Sequence, residues 1–242
     1  MVETGGSIFI ALPLVVMLLS LLPVYILFVR KVAISAILNV LRALCLFVFL
    51  QYLALYFLHP GVPVLQTGFR LAEFTLVFYL FKLMITGQVK DLMNMLLVAF
   101  LSVTVTIYAL KGITAYAGII TIIQAALLTI LAIVLLFQLI SNRHIVMVNE
   151  PGFWIAGGSL CYCGMVLFIE AITGSHSNGS QQLQQEKGLI IMIADIFRMV
   201  FFIVAASMTG KNKKENDHND EPPPPLPPLP PLPTKPPIKI RY

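Results

Sequence analysis

Long apolar runs alternate with short polar breaks along most of the chain. Seven such runs can be read, at roughly 7–29, 33–58, 69–87, 91–110, 114–141, 153–173 and 188–209. A hydrocarbon layer ~30 Å thick takes ~20 helical residues to cross. Backbone groups in lipid must satisfy one another, so each run is expected to be a helix. Alternation of single apolar and polar residues, the mark of a membrane barrel, is missing. The expected fold is therefore all-α: a polytopic membrane bundle of seven transmembrane helices. The third and fourth runs are short, and Lys82 intrudes near the end of the third. The fifth is long enough to tilt or to extend past the hydrocarbon.

The breaks orient the bundle. With the N-terminus outside, the inner ends and loops carry Arg30, Lys31, Lys82, Lys90, Arg143, Lys211, Lys213 and Lys214, against Arg70, Lys111 and Lys187 on the outer side. This is the bias that the positive-inside rule requires. An even number of helices would place the Lys211, Lys213 and Lys214 cluster outside, so the count of seven is preferred. Met1 to Gly6 includes Glu3 and no basic residue, unlike the n-region of a cleaved signal peptide. The first run is expected to remain as a helix inserted with its N-terminus outside. Short connections leave no room for a soluble domain between helices. The Ser175–Lys187 stretch forms the longest outer connection, and Asn178-Gly179-Ser180 within it fits a glycosylation acceptor.

After Gly210 the pattern changes, dividing the chain into a membrane domain, 1–210, and a cytoplasmic tail, 211–242. The tail is charged from Lys211 to Glu221 and mostly proline from Pro222 to Pro237. The P-P-L triplets match the three-residue turn of polyproline II and set Leu226, Leu229 and Leu232 along one edge of an extended rod. Pro222, Leu226, Leu229 and Leu232 would face an aromatic-grooved partner. The same segment also reads as a stiff spacer.

Composition strengthens the membrane reading. Hydrophobic residues make up 58% and charged residues 11%, with a mean hydropathy of +0.90. Soluble domains carry about 25% charged residues. The net charge of +5 is spread over loops and tail, so topology explains it without a nucleic-acid partner. Cys45, Cys161 and Cys163 all fall in apolar runs. The last two diverge by ~200° on a helix, and all three read as small apolar fillers.

Against this background the charges inside the runs stand out, because each costs ~3 kcal/mol or more at mid-depth on insertion scales. They are Arg42, Glu73, Glu170, Asp195 and Arg198. Asp195 and Arg198 are three apart and so share a helix face. The topology puts the three carboxylates in the outer half and the two guanidinium groups deeper. The expected picture is one polar cluster open to the outside, joined by Asn39 and Gln124. The alternative is a set of structural ion pairs that fix helix register, including Glu73 with Arg70 and a shallow, hydrated Glu170. Gly157, Gly158, Ser159, Cys161 and Gly164 give the sixth helix a thin side that lets a neighbour approach closely. Pro13 and Pro23 are expected to kink the first helix or to leave local carbonyls free.

Catalytic signals are missing. The seventh run, GLIIMIADIFRMVFFIVAASM, has no lysine for a retinal Schiff base. The four histidines, His59, His144, His176 and His218, lie in loops or tail without ligand spacing. No Gly-rich phosphate loop is present. No enzyme activity, metal or cofactor is expected.

The stretch from Asn149 through Glu150, Pro151, Gly152, Phe153, Trp154 and Ile155, continuing to Gly158, Tyr162 and Gly164, carries one resemblance. It is similar to an E-P-x-F-W-I-x-x-G-x-L-x-Y-x-x-G pattern of seven-helix membrane modules in bacterial signalling systems. Those modules are fused to histidine kinases or stand alone. The resemblance implies a non-catalytic sensory or signal-coupling module in a bacterial plasma membrane, passing a stimulus to a cytoplasmic signalling protein such as a histidine kinase. Two other classes fit the same residues. One is a small transporter or proton-coupled carrier that uses the intramembrane carboxylates as its relay; the other is a membrane scaffold that recruits through the polyproline tail. The physical reading of the motif is simpler: Glu150 and Pro151 suit a first helical turn, and Trp154 suits an interfacial anchor.

Overall fold

A computed structural model describes residues 3–29, 35–58, 63–87, 89–113, 116–141, 147–173 and 181–208. Side chains of 3–10, 58, 63, 147, 181, 182 and 184 are outside that description. So are several sequence expectations: Arg30, Lys31 and Arg143, His59, His144 and His176, the Asn178-Gly179-Ser180 tripeptide, and the whole tail with Pro222, Leu226, Leu229 and Leu232.

Among the described residues the structure is all-helical. Its helices are α1 (Glu3–Val29), α2 (Ala36–Leu58), α3 (Pro63–Met84), α4 (Val89–Lys111), α5 (Ala117–Ser141), α6 (Pro151–Thr173) and α7 (Gln181–Met208), with one 3-10 turn at Met147–Asn149. All seven are long and apolar enough to cross a membrane.

Local chemistry sets the ends. Ser35 caps α2, its hydroxyl accepting from the Leu38 amide at 3.4 Å. Pro63 and Pro151 stand at first helical positions, where a missing N–H leaves nothing unsatisfied. Gly112 closes α4 with a φ of +85°, its amide donating to the Tyr108 carbonyl at 3.1 Å. Beyond the end of α3, the Gln138 side chain of α5 clamps Thr86 by both backbone groups. It accepts from the Thr86 amide at 3.2 Å and donates to its carbonyl at 3.1 Å. Pro13 and Pro23 lie inside α1, which runs as one helix past both.

Three helices begin well before the hydropathy reading placed them. α1 starts at Glu3, α3 at Pro63 and α7 at Gln181. Apolarity measures the lipid-facing length, whereas Gln, Glu and Lys continue a helix readily into water.

Packing makes a closed ring in the order α1, α2, α3, α5, α6, α7 and back to α1. The α6–α7 and α5–α6 seams are the most extensive, and α4 packs on the outside against α3. Only Met93 and Thr104 of α4 are buried. One half of the ring is filled by apolar side chains, including Leu41, Leu44, Phe78, Phe81, Ile155, Met199 and Phe202, each fully buried. The other half holds a cavity.

The thin side of α6 is used. A Cβ on Gly158 would meet the Phe201 Cβ at 2.6 Å and the Arg198 carbonyl oxygen at 3.4 Å, and one on Gly157 would meet the Phe201 ring at 3.2 Å. Backbones at this seam therefore approach more closely than any larger residue allows. Gly164 has open space around it and takes no part.

Candidate functional site

The cavity measures about 810 Å³, and all seven helices line it. It draws on Pro13 in the first half of α1, Gln51 to Tyr56 late in α2, and Gln66 to Glu73 early in α3. Tyr108 near the end of α4, Gly118 to Gln124 early in α5, Tyr162 and Glu170 of α6, and Gln185 to Asp195 of α7 complete it. Late parts of even-numbered helices and early parts of odd-numbered ones meet there, so consecutive helices alternate in direction.

Arg198 lies behind this lining, in contact with three of its residues, Glu73, Tyr162 and Asp195. It is 2% exposed, near the middle of the last helix. Its Nη1 lies 2.5 Å from Glu73 Oε1, and its Nη2 donates to Asp195 Oδ1 at 2.6 Å. The guanidinium carbon sits 4.0 Å from the centre of the Tyr162 ring, a cation–π contact. The Tyr52 hydroxyl donates to the second Asp195 oxygen at 2.6 Å. One buried cation thus ties α3, α6 and α7 together directly, and α2 through Asp195. Two carboxylates on one guanidinium leave this group with an excess of negative charge.

Glu170 forms a second group nearer the open end. It is 1% exposed, and its Oε2 accepts from Lys187 Nζ at 2.7 Å. Arg70 Nη1 stands 3.9 Å from Glu170 Oε1 and 3.4 Å from Thr121 Oγ1. Here two cations flank one carboxylate, so the excess is positive. The outer positive group and the inner negative group compensate each other across the cavity.

Three of the five charges named from sequence, Glu73, Glu170 and Asp195, therefore line one cavity, and Arg198 stands behind two of them. Glu73 pairs with Arg198 of another helix, and Arg70 stands nearest Glu170, so two cross-helix contacts take the place of the Arg70–Glu73 pair of the alternative reading. Glu170 is buried within the bundle, three residues before the end of α6. Arg42 does not join them. Its Nη2 donates to Asn39 Oδ1 at 3.3 Å on the same helix, so Asn39 is also away from the site, whereas Gln124 lines it. Arg42 lies ten residues before Tyr52, ~15 Å down the helix axis. The second turn of α2 lets its long side chain reach toward the helix end rather than the bundle interior.

Sequence reasoning missed Tyr52, Tyr162, Arg70 and Lys187 as site residues. Lys187 carried a usable signal. Lys187, Ile191, Asp195 and Arg198 fall within ~80° of one another around a helix. That face is visible only once the helix is extended back through the polar Gln-rich turn. The tyrosines carried none, since aromatic residues are ordinary in membrane helices.

The α6 motif has a structural role. Trp154 Nε1 donates to the Val148 carbonyl at 2.8 Å, and its ring packs on Phe153 and on Phe201 of α7. Cys45 and Cys163 are buried and Cys161 is exposed, the divergence expected for two residues so spaced. Among the described residues no three His, Cys, Asp or Glu side chains group as a metal site. A roomy, mainly apolar lining that carries a few charged and hydroxyl groups suits the reversible holding of a small molecule. No protein-family model, no curated protein and no solved structure matches the chain.

Proposed function

We propose that the chain is a non-catalytic sensory module of a plasma membrane, with its N-terminus outside and its tail in the cytoplasm. A small molecule entering the cavity from outside perturbs the Arg198 group, and α7 carries the change to the inner ends of the helices. A cytoplasmic signalling protein such as a histidine kinase reads it there, with the polyproline segment available as a second contact.

One observation carries this reading. The cavity lining, through Asp195, and a close helix seam, through Phe201, meet on one stretch of α7. Arg198 holds Glu73 and Asp195, its own carbonyl packs near Gly158, and Phe201 three residues on fills the Gly157–Gly158 notch. A shift of the Arg198 side chain that moves its backbone therefore moves the seam. The resemblance of the α6 start to signalling modules points the same way.

A carrier is the second reading, favoured by the apolar plug opposite the cavity. An open vestibule sealed at its far end is also what an alternating-access protein presents in one state. Affinity capture of the intact protein from gently solubilised native membranes, beside a chain cut after Gly210, tests the first reading. Recovery of a signalling protein with both forms supports coupling through helices or inner loops. Recovery with the intact form only favours the tail-dependent scaffold. Recovery of lipid alone, with solute uptake by reconstituted vesicles, overturns the sensory reading in favour of the carrier.

A further inference from the structure

The two oxygens of Glu170 are unequally served. Oε2 is held by Lys187 at 2.7 Å, whereas Oε1 has no hydrogen bond among the described residues, though it is buried. The nearest cation to Oε1 is Arg70 Nη1 at 3.9 Å, too far for a hydrogen bond. Arg70 is also underused. Its side chain is 40% exposed, lines the cavity and makes one long hydrogen bond, to Thr121 at 3.4 Å, so most of its five donors are not engaged by hydrogen bonds among the described residues. An anionic acceptor and a cationic fork thus stand side by side, each with capacity to spare.

We propose that this pair recognises an amino-acid-type zwitterion, and that the cavity takes a free amino acid or a compact relative with ammonium and carboxylate on one carbon. The inference rests on reading the cavity as a ligand site. The charged ends of such a molecule lie roughly 3 Å apart, set by two ordinary covalent bonds. That is close to the 3.9 Å spacing of the pair, so the ligand bridges Arg70 and Glu170 without separating them. Its ammonium donates to Glu170 Oε1, and its carboxylate accepts from the Arg70 fork, the bidentate geometry that guanidinium favours.

Simple ions fit less well. An anion on Arg70 lies beside the Glu170 carboxylate, and a cation on Glu170 faces Lys187 and Arg70. A zwitterion in the matched orientation meets an opposite charge at each end. The rest of the cavity offers Leu55, Ile191 and Met192 beside Tyr52 and Gln124, surfaces for a mixed or apolar side chain. Its 810 Å³ is within the range of small-molecule sites and leaves space for water as well.

The full chain reconstituted in phospholipid vesicles supplies the test, read by titration calorimetry and by the fluorescence of Trp154, the single tryptophan. Glutamine, leucine, methionine, glutamate and lysine are titrated, then N-acetyl-leucine and isoamylamine, which each lack one charged end. At least one amino acid is expected to bind, and its singly charged analogue to bind tenfold or more weakly. E170Q and R70Q are expected to lose that binding, and R70K, which keeps the charge but not the fork, to weaken it. Thermal unfolding of each variant separates lost binding from lost fold. Absence of heat with every amino acid, or equal binding of the N-acetylated form, overturns the ligand class. Binding that leaves Trp154 unchanged supports the ligand class and counts against the sensory reading, so the two fail separately.

Discussion

Arg198 touches α3 and α6 from its place on α7, and reaches α2 through Asp195 and Tyr52. A buried charge is tolerated when its partners compensate for lost hydration, and breaking such a group by removing one partner costs ~3–5 kcal/mol. Asp195 serves both Arg198 and the Tyr52 hydroxyl, so D195N removes a charge and disturbs two contacts. Y52F removes one hydrogen bond to a charged group, worth ~1.5–3 kcal/mol. The expected order of thermal stability in detergent is therefore wild type, then Y52F, then D195N. Equal stability of wild type and D195N would show that the Arg198 group is not a tie between helices. Sequence alone named Arg198, Asp195 and Glu73 because charge in an apolar run is conspicuous. It could not assign partners, since pairing depends on which helices are neighbours in the ring. Arg42 looked equivalent for the same reason, and only its place at the far end of α2 separates it.

At the scale of single helices, the α6–α7 seam gives the sharpest contrast. The Phe201 Cβ is fixed to its backbone and cannot swing away, so an added methyl at Gly158 must push the helices apart. Overpacking of this kind costs ~1–3 kcal/mol. G158A is expected to lower the unfolding temperature, whereas G164A, with open space around it, is expected to leave it unchanged or raise it slightly through better helix propensity. Similar losses from both would mean that glycine in α6 matters for backbone freedom rather than for close approach. The helices themselves were legible because a membrane crossing demands a long apolar run, and all seven runs correspond to helices. Their ends were less so. Gln181 to Lys187 is polar enough to read as a loop, yet nothing in it breaks a helix, and that turn positions Lys187 over Glu170.

The whole molecule is asymmetric along its axis, with a polar cavity in one half and a packed apolar plug in the other. No local pattern in the sequence contains that division, because each helix contributes only a few residues to either half. The basic residues bear on which half faces which side of the membrane. If the positive-inside bias sets the orientation, the cavity opens to the side of the N-terminus. A cysteine at Thr67, which lines the cavity, tests this in a C161S background, because Cys161 is the exposed native thiol. T67C is expected to react with a membrane-impermeant thiol reagent added on the N-terminal side and to resist it from the other. V148C, exposed near the start of α6, should show the opposite preference. Reaction of T67C only from the tail side reverses the orientation and removes the external stimulus from the proposal. Reaction from both sides, with V148C still one-sided, would mean that the plug around Phe78, Phe81 and Phe202 opens during the experiment. A sensor needs the seam to shift but not the plug to part, so that outcome would transfer the same cavity and the same charges to a carrier.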